Sequence, residues 1–255
     1  MPQTACSALV HDFIQGLTTG SNFNDVLINS VFILIIQVLS CIIFIIKRPG
    51  ETRMNHKERM LANLPYKAWL DGLKEERIEN AKRIYEYNNL PPERWDERIN
   101  LIKKILGKTG ENIDIQAPFH CDYGYNIEVG ENFFANYNLV ILDVGKVKIG
   151  NNAQLAPNVS IYTAGHPIHP DSRNSGYEYG IDITIGDNVW IGGNTCIMPG
   201  VKIGKNVVIG AGSVVTKDIP DDVIAFGNPC KVVRKITEND RNYYFRDRKF
   251  DGWDE

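Results

Sequence analysis

This chain has no cysteine pairs at metal-binding spacing. Its five cysteines, Cys6, Cys41, Cys121, Cys196 and Cys230, are scattered, odd in number and form no CxxC or CxxxH motif. That argues against a disulfide framework or a zinc ribbon and fits a reducing compartment. A surplus of charge is also missing: 28 Lys and Arg against 31 Asp and Glu leave a net charge of −3. Without a basic excess there is no extended electrostatic footprint for nucleic acid. The five histidines are too few and too spread to supply a ready metal cluster, so no metal is expected.

Long hydrophobic runs are absent after residue 53, but one lies before it. Residues 26–46 read VLINSVFILIIQVLSCIIFII, 21 residues without a charge. That is close to the ~20 residues needed to cross a bilayer as a helix. Lys47, Arg48 and Arg53 follow the run, and Asp12 and Asp25 precede it, so a span would leave the C-terminal part in the cytoplasm. The alternative is that residues 1–53 are an extension outside any folded domain, because MNHKERMLANLPYKAW from Met54 reads as a natural start. A cytoplasmic catalytic part, free or membrane-anchored, is expected in either case, with nothing catalytic in the leader.

Residues 54–110 read as a helical segment. In LKEERIENAKRIYEYN the apolar positions Leu73, Ile78, Ala81, Ile84 and Tyr85 predict an amphipathic stripe. Asn88-Asn89-Leu90-Pro91-Pro92 breaks it. The next helix places Trp95, Ile99, Ile102, Ile105 and Leu106 on one face, with Gly107 as its C-cap.

Residues 111–236 repeat. Stepping by six from Ile185 gives Ile191, Ile197, Ile203, Ile209 and Val215, all aliphatic. Four of these positions are followed by glycine: Gly186, Gly192, Gly204 and Gly210. The phase recurs upstream at Ile149, Leu155 and Ile161, and after a shift of two at Val129, Ala135 and Ile141. A six-residue period of inward aliphatics predicts a mainly β fold, a left-handed parallel β-helix with three strands per coil. Glycine and asparagine at the turns tolerate the left-handed backbone that such corners need. The register breaks between Ile161 and Ile185, where residues 167–180 predict an extruded loop beginning at TAGHPIHP. Residues 237–255 form a C-terminal tail.

From about residue 54 to about residue 245 the chain resembles the maltose and galactoside O-acetyltransferases of the hexapeptide-repeat superfamily. RIYEYN, CDYGYNIEVGENFFANYNLVILDV, LAPNVSIYTAGHPIHPDSRNSG, ITIGDNVWIGG, MPGVKIG, IGAGSVVTKDIP and GNPCKVVRKI carry the likeness. The resemblance implies a homotrimer with active sites between subunits, acetyl-CoA as donor and a sugar hydroxyl as acceptor. It implies His166 of TAGHP as the general base, taking the hydroxyl proton as the oxygen attacks the thioester directly. Oxyanion stabilisation is implied at the turn Trp190, Ile191, Gly192 and Gly193; some relatives have serine where this chain has Gly193, so backbone N–H groups would serve here.

Acetyl-CoA contacts are implied at Asn136, Trp190, Gly192, Gly193, Ala211, Thr216, Lys217, Lys231 and Arg234, the cations facing the nucleotide phosphates. Acceptor contacts are implied at Asp71, Arg77, Asp122 and Asp143, carboxylates being ready acceptors for sugar hydroxyls. The galactoside members carry a second acid directly after the first; Val144 stands there in this chain, which leans toward the maltose-like branch. Two other readings stay open at the level of sequence: the same chemistry on an amine, a serine or an antibiotic, and a β-helix used as a scaffold. A metal-dependent hydratase needs several converging histidines, and only His166 and His169 are placed for it.

Overall fold

In a computed structural model, residues 54–252 are described. The hydrophobic run 26–46 lies outside them; among the described residues no helix is long and apolar enough to cross a membrane.

The helical segment forms three helices. Helix α1 (His56–Leu61) starts on a capping box in which the Asn55 side chain accepts from the Glu58 N–H and the Glu58 carboxylate accepts from the Asn55 N–H. Helix α2 (Leu73–Asn89) and helix α3 (Trp95–Ile105) follow. The buried side chains of α2 are Leu73, Asn80, Ile84 and Tyr87. Leu73 and Ile84 are buried as expected, but Asn80 and Tyr87 join them in place of Ile78 and Tyr85, which are 49% and 72% exposed. Polar Asn80 occupies the buried row because its amide donates to the Cys121 and Asp122 carbonyls at 3.3 and 3.2 Å. Gly107 is not a cap. Its N–H donates to Gly124 O and Ile127 O, and a Cβ there would sit 2.2 Å from Tyr125 O, so glycine is required by close approach of two backbones.

The repeats build six coils. Strands β1 (Ile113–Ile115), β2 (Phe119–Cys121) and β3 (Ile127–Val129) make the first. Strands β4 (Phe133–Ala135), β5 (Leu139–Leu142) and β6 (Val147–Ile149) make the second. The third begins with β7 (Gln154–Leu155) and β8 (Ser160–Tyr162). It then leaves through β9 (Ala164–Gly165), a short helix α4 (Pro170–Asn174) and β10 (Tyr179–Gly180), and closes with β11 (Ile183–Ile185). Strands β12 (Trp190–Ile191), β13 (Cys196–Ile197) and β14 (Lys202–Ile203) form the fourth coil, and β15 (Val208–Ile209) and β16 (Val214–Val215) belong to the fifth. Strand β17 (Val223–Phe226) opens the sixth, and β18 (Lys231–Lys235) turns back antiparallel on it.

Three parallel faces result: β1-β4-β7-β12-β15-β17 is the first, β2-β5-β8-β13-β16 the second, and β3-β6-β11-β14 the third. The period-six aliphatics point inward in one core, with Ile161, Ile191, Ile197, Ile209 and Val215 fully buried. Each such side chain contributes roughly 1.5–3 kcal/mol relative to exposure. Where the third face turns into the first, Asn132, Asn152, Asn188 and Asn206 all adopt φ between 55° and 57°. Their side-chain amides form a ladder, each donating to the next at 2.8–2.9 Å, ending on Asp222 at 2.7 Å. Asparagine is suited to this turn because it accepts the left-handed backbone and its amide both donates and accepts.

Every departure from period six falls on one edge, where the second face turns into the third. Eight residues separate Cys121 from Val129 and Ile141 from Ile149, where six would keep the step. The long excursion after Ile161 leaves from the same edge, and the fifth coil is shortened there, with Ile219 bridging to Ile203. The opposite edge, between first and second faces, keeps its step throughout.

Candidate active site

Three loops meet on the irregular edge. The first, residues 122–126, is held from below by Asp143. Its Oδ1 accepts from the Asp122 and Tyr123 N–H groups, both at 2.9 Å, and its Oδ2 from Gly124 N–H at 2.7 Å. Asp143 is fully buried. Burial pushes its carboxyl up to about 7; the Tyr123, Gly124 and Asp122 amides pull it down and the Asp122 charge pushes it up. This corrects the acceptor contact expected at Asp143: both oxygens are taken by backbone amides, so it shapes the loop that carries Asp122. Val144, beside it, is buried in a small core with Met60, Tyr66, Ala68, Leu73 and Tyr123.

Asp122 itself is half-buried. Burial raises its carboxyl, the Arg77 guanidinium lowers it and Glu178 raises it. Arg77 comes from α2, donates to Ala68 O at 3.1 Å and stacks 4.4 Å from the Trp69 ring centre. Glu178 arrives on the excursion: its backbone forms a two-way bridge with Tyr66, at 2.9 and 3.0 Å, and its carboxylate accepts from the Tyr66 hydroxyl. Burial, then the Glu178 bond, hold the Tyr66 hydroxyl far above its ordinary range, so it stays a donor. Tyr66, Tyr123 and Glu178 were not singled out from the sequence; the buried, charged neighbourhood that marks them exists only after folding.

His166 is exposed and follows Gly165 directly. In the antiparallel pair of β9 and β10, Gly165 faces Tyr179 and Ala164 faces Gly180. His166 directly follows β9 and Glu178 directly precedes β10, so both flank the same end of that pair. Asp122, Arg77 and Glu178, from three separate stretches of chain, lie close enough to act on one another's charge. Asp71 adopts φ 54° and its carboxylate accepts from the His56 N–H at 2.6 Å, tying α1 to the start of α2. His169 caps α4, accepting from Asp171 N–H at 3.2 Å.

The residues expected to hold acetyl-CoA divide between two edges. Asn136, Gly192, Gly193 and Ala211 follow the inward residues of the first face on the regular edge. Gly192 is required by close approach, since a Cβ there would meet Ala211 N at 2.5 Å; at Gly193 a Cβ would meet Pro157 O at 3.0 Å, tight but open to a small shift. Trp190 projects from the first face and is 54% exposed. Thr216 and Lys217 lie on the irregular edge, two coils from Tyr162, about 10 Å at the ~4.8 Å strand spacing. Lys231 and Arg234 are on β18; Arg234 is engaged by Asp240, which accepts from both guanidinium ends at 2.7 and 2.8 Å. That bond, with the Thr237 amide, holds the Asp240 carboxyl well below its usual range. Within the Trp190–Gly193 turn, Trp190 N–H donates to Val207 O and Gly192 N–H to Ile209 O. Among the described residues no group of three His, Cys, Asp or Glu side chains is placed to hold a metal.

Comparison with known proteins fits this layout. Residues 59–110 match the maltose acetyltransferase hexapeptide capping motif, and residues 182–217 the bacterial transferase hexapeptide (six repeats). The galactoside O-acetyltransferase of Escherichia coli K12 is 46% identical over 192 residues, covering 75% of this chain and 95% of that one. A solved galactoside acetyltransferase in complex with coenzyme A superposes with TM-score 0.76 at 45% identity, covering 78% of this chain and 99% of that one. A solved maltose O-acetyltransferase from Clostridium difficile 630 gives 0.72 at 52% identity, covering 72% and 99%. With the capping helices on the first coils and the repeat behind them, the chain belongs to the maltose and galactoside O-acetyltransferase family of hexapeptide-repeat acetyltransferases.

Proposed function

We propose that the protein transfers acetyl from acetyl-CoA to a hydroxyl of a sugar, with His166 as general base. The observation that supports this most directly is the register of β9 and β10. His166 and Glu178 flank the same end of that pair, and Asp122 interacts with Glu178 and Arg77, a set that offers acceptors and donors to a polyol. The imidazole takes the hydroxyl proton as the oxygen attacks the thioester carbonyl. The tetrahedral intermediate collapses with release of the thiol, which regains a proton from the imidazolium. No acyl-enzyme is needed, because holding both substrates together supplies most of the gain. Of the Trp190–Gly193 turn, the Gly193 N–H makes no bond among the described residues and is the group left for the oxyanion.

The division of donor residues between two edges fits a site shared between copies in a homotrimer. Asn136, Trp190, Gly192, Gly193 and Ala211 of one copy would face His166, Thr216 and Lys217 of the next. Apolar outward positions on the first and second faces, among them Phe134, Trp190, Val140 and Val214, suit such contact, whereas the third face carries Glu128, Lys148 and Lys202. Lys231 and Arg234 would meet the nucleotide phosphates. The helical segment 54–110 then serves the acceptor, and the β-helix 111–236 the donor. The scattered cysteines and the cations after residue 46 support a cytoplasmic catalytic part, free or membrane-anchored.

An acceptor screen with acetyl-CoA, following free thiol, tests the reading on the chain from Met54 onward with glucosides, maltose and galactosides. Turnover with one of them, lost by at least about 100-fold in a His166→Ala protein of unchanged oligomeric state, is the expected result. Wild-type turnover in that variant removes His166 from the mechanism. Release with no sugar, but with an amine or serine, moves the acceptor class.

A further inference from the structure

α2 and the first loop line a cavity of about 270 Å³ that shares Tyr123 with the acceptor cluster. Lys57, Glu76, Asn80, Arg83, Tyr123 and Tyr125 line it. None of them is needed for acetyl transfer as proposed above. We propose that this cavity is a second acceptor subsite, holding the sugar ring that is not acetylated when the acceptor is a disaccharide.

Four observations carry the proposal. The cavity is small against the ~300–1,000 Å³ of drug-sized ligand sites, which suits a single ring. It shares Tyr123 with the acceptor cluster, where Tyr123 interacts with Arg77, Asp122 and Glu178. Its walls combine an aromatic face with both kinds of hydrogen-bonding group: the Tyr125 ring lies 5.3 Å from the Tyr123 ring and 5.5 Å from Lys57 Nζ, and its hydroxyl donates to Glu76 at 2.8 Å. A sugar ring has apolar C–H faces and polar edges, which fits such a wall. Finally, two of its lining side chains carry buried polar atoms without a partner, Asn80 Oδ1 and the Tyr123 hydroxyl, on residues that are 3% and 2% exposed. An unmet buried acceptor costs roughly 1–3 kcal/mol. The Asn80 Nδ2 is already committed to the Cys121 and Asp122 carbonyls, so its oxygen is left for an outside donor, and a ring hydroxyl supplies one.

The proposal rests on the sugar-acceptor reading, and the experiment separates the two. Arg83→Gln and Tyr125→Ala are compared with wild type on a glucoside and on the matching disaccharide glycoside, reading KM for each. The expected result is a rise of about tenfold in KM for the disaccharide, as for loss of ~1.4 kcal/mol of binding, with the monosaccharide KM unchanged. An equal rise for both acceptors means that Tyr125 and Arg83 merely support Tyr123, and overturns the subsite. No change for either also overturns it. If wild type acetylates neither sugar, the function proposal fails on its own. Saturation-transfer NMR of the disaccharide with wild type and Arg83→Gln then decides the subsite: signal from the second ring in wild type only supports it, and equal or absent signal in both refutes it.

Discussion

Among the described residues the Tyr66 hydroxyl is the one side-chain donor to Glu178, and removing that one oxygen isolates its role. In Tyr66→Phe the ring stays in the small core, and the two backbone bonds between residues 66 and 178, at 2.9 and 3.0 Å, remain. The excursion therefore stays docked. A hydrogen bond to a charged group is worth about 1.5–3 kcal/mol, and Glu178 is half-buried, so water replaces part of what is lost. A net loss of ~1–2 kcal/mol in stability follows, which for a domain of this size lowers Tm by roughly 2–8 °C. The larger effect is on the acceptor. Without its anchor the Glu178 carboxylate regains rotamer freedom, and fixing it again on binding costs up to about 1.5 kcal/mol. The acceptor KM should rise about 5- to 10-fold while the acetyl-CoA KM and the oligomeric state stay as in wild type. Steady-state thiol release with each substrate varied in turn measures this, alongside a thermal melt. An acetyl-CoA KM that rises in step with the acceptor KM, or a lowered Tm with both constants unchanged, refutes the placement of Glu178 on the acceptor side.

Other expectations are as direct. Asp143 sits at about 7 in the fold and near 3.8 when unfolded, so the folded chain binds the extra proton in between. Its contribution to stability is present below about pH 4 and declines as pH rises through 7; urea titrations at pH 5 and pH 8 should give a drop in wild type that is smaller in Asp143→Asn. Gly186→Ala places a Cβ 2.7 Å from the backbone of residues 204 and 205 in the next coil and should cost ~1–3 kcal/mol or more, whereas Gly176→Ala meets nothing within 4 Å and pays only for its φ of 83°, ~1–2 kcal/mol. Thermal melts of the two variants should rank them in that order. Asp240→Asn loosens the clamp on Arg234, and the acetyl-CoA KM should fall about two- to fivefold; a rise would show that the clamp positions Arg234 for the phosphates.

The solenoid was legible because its evidence is repeated. Inward positions such as Ile185, Ile191, Ile197 and Ile203 ask the same thing of every coil, and one side-chain class answers. The edge loops are each built once, and composition says little about them. Asp143 reads as a free carboxylate in a list of residues, yet only the folded loop decides whether its partners are sugar hydroxyls or the amides of residues 122–124. In α2 Leu73 and Ile84 are buried as the pattern predicts, but hydrophobicity also favours Ile78 and Tyr85, whereas the carbonyls of Cys121 and Asp122 give buried Asn80 a partner that no periodicity encodes. His166 stands where the repeat stops, a position visible in the sequence itself.

The confinement of all length changes to one edge has a consequence for how such a protein can vary. Ile183 pairs with Val147 and Ile185 with Ile149 as though the intervening excursion did not exist. Chain can thus be inserted or removed at that corner without disturbing the ladder of coils, and the entropy of closing a longer loop grows only with the logarithm of its length. The regular edge has no such freedom, because glycines there touch the backbone of the neighbouring coil. The molecule is divided like a lock with a fixed cylinder and exchangeable pins. Selection or design can rewrite the excursion while the stack that carries it stays as it is.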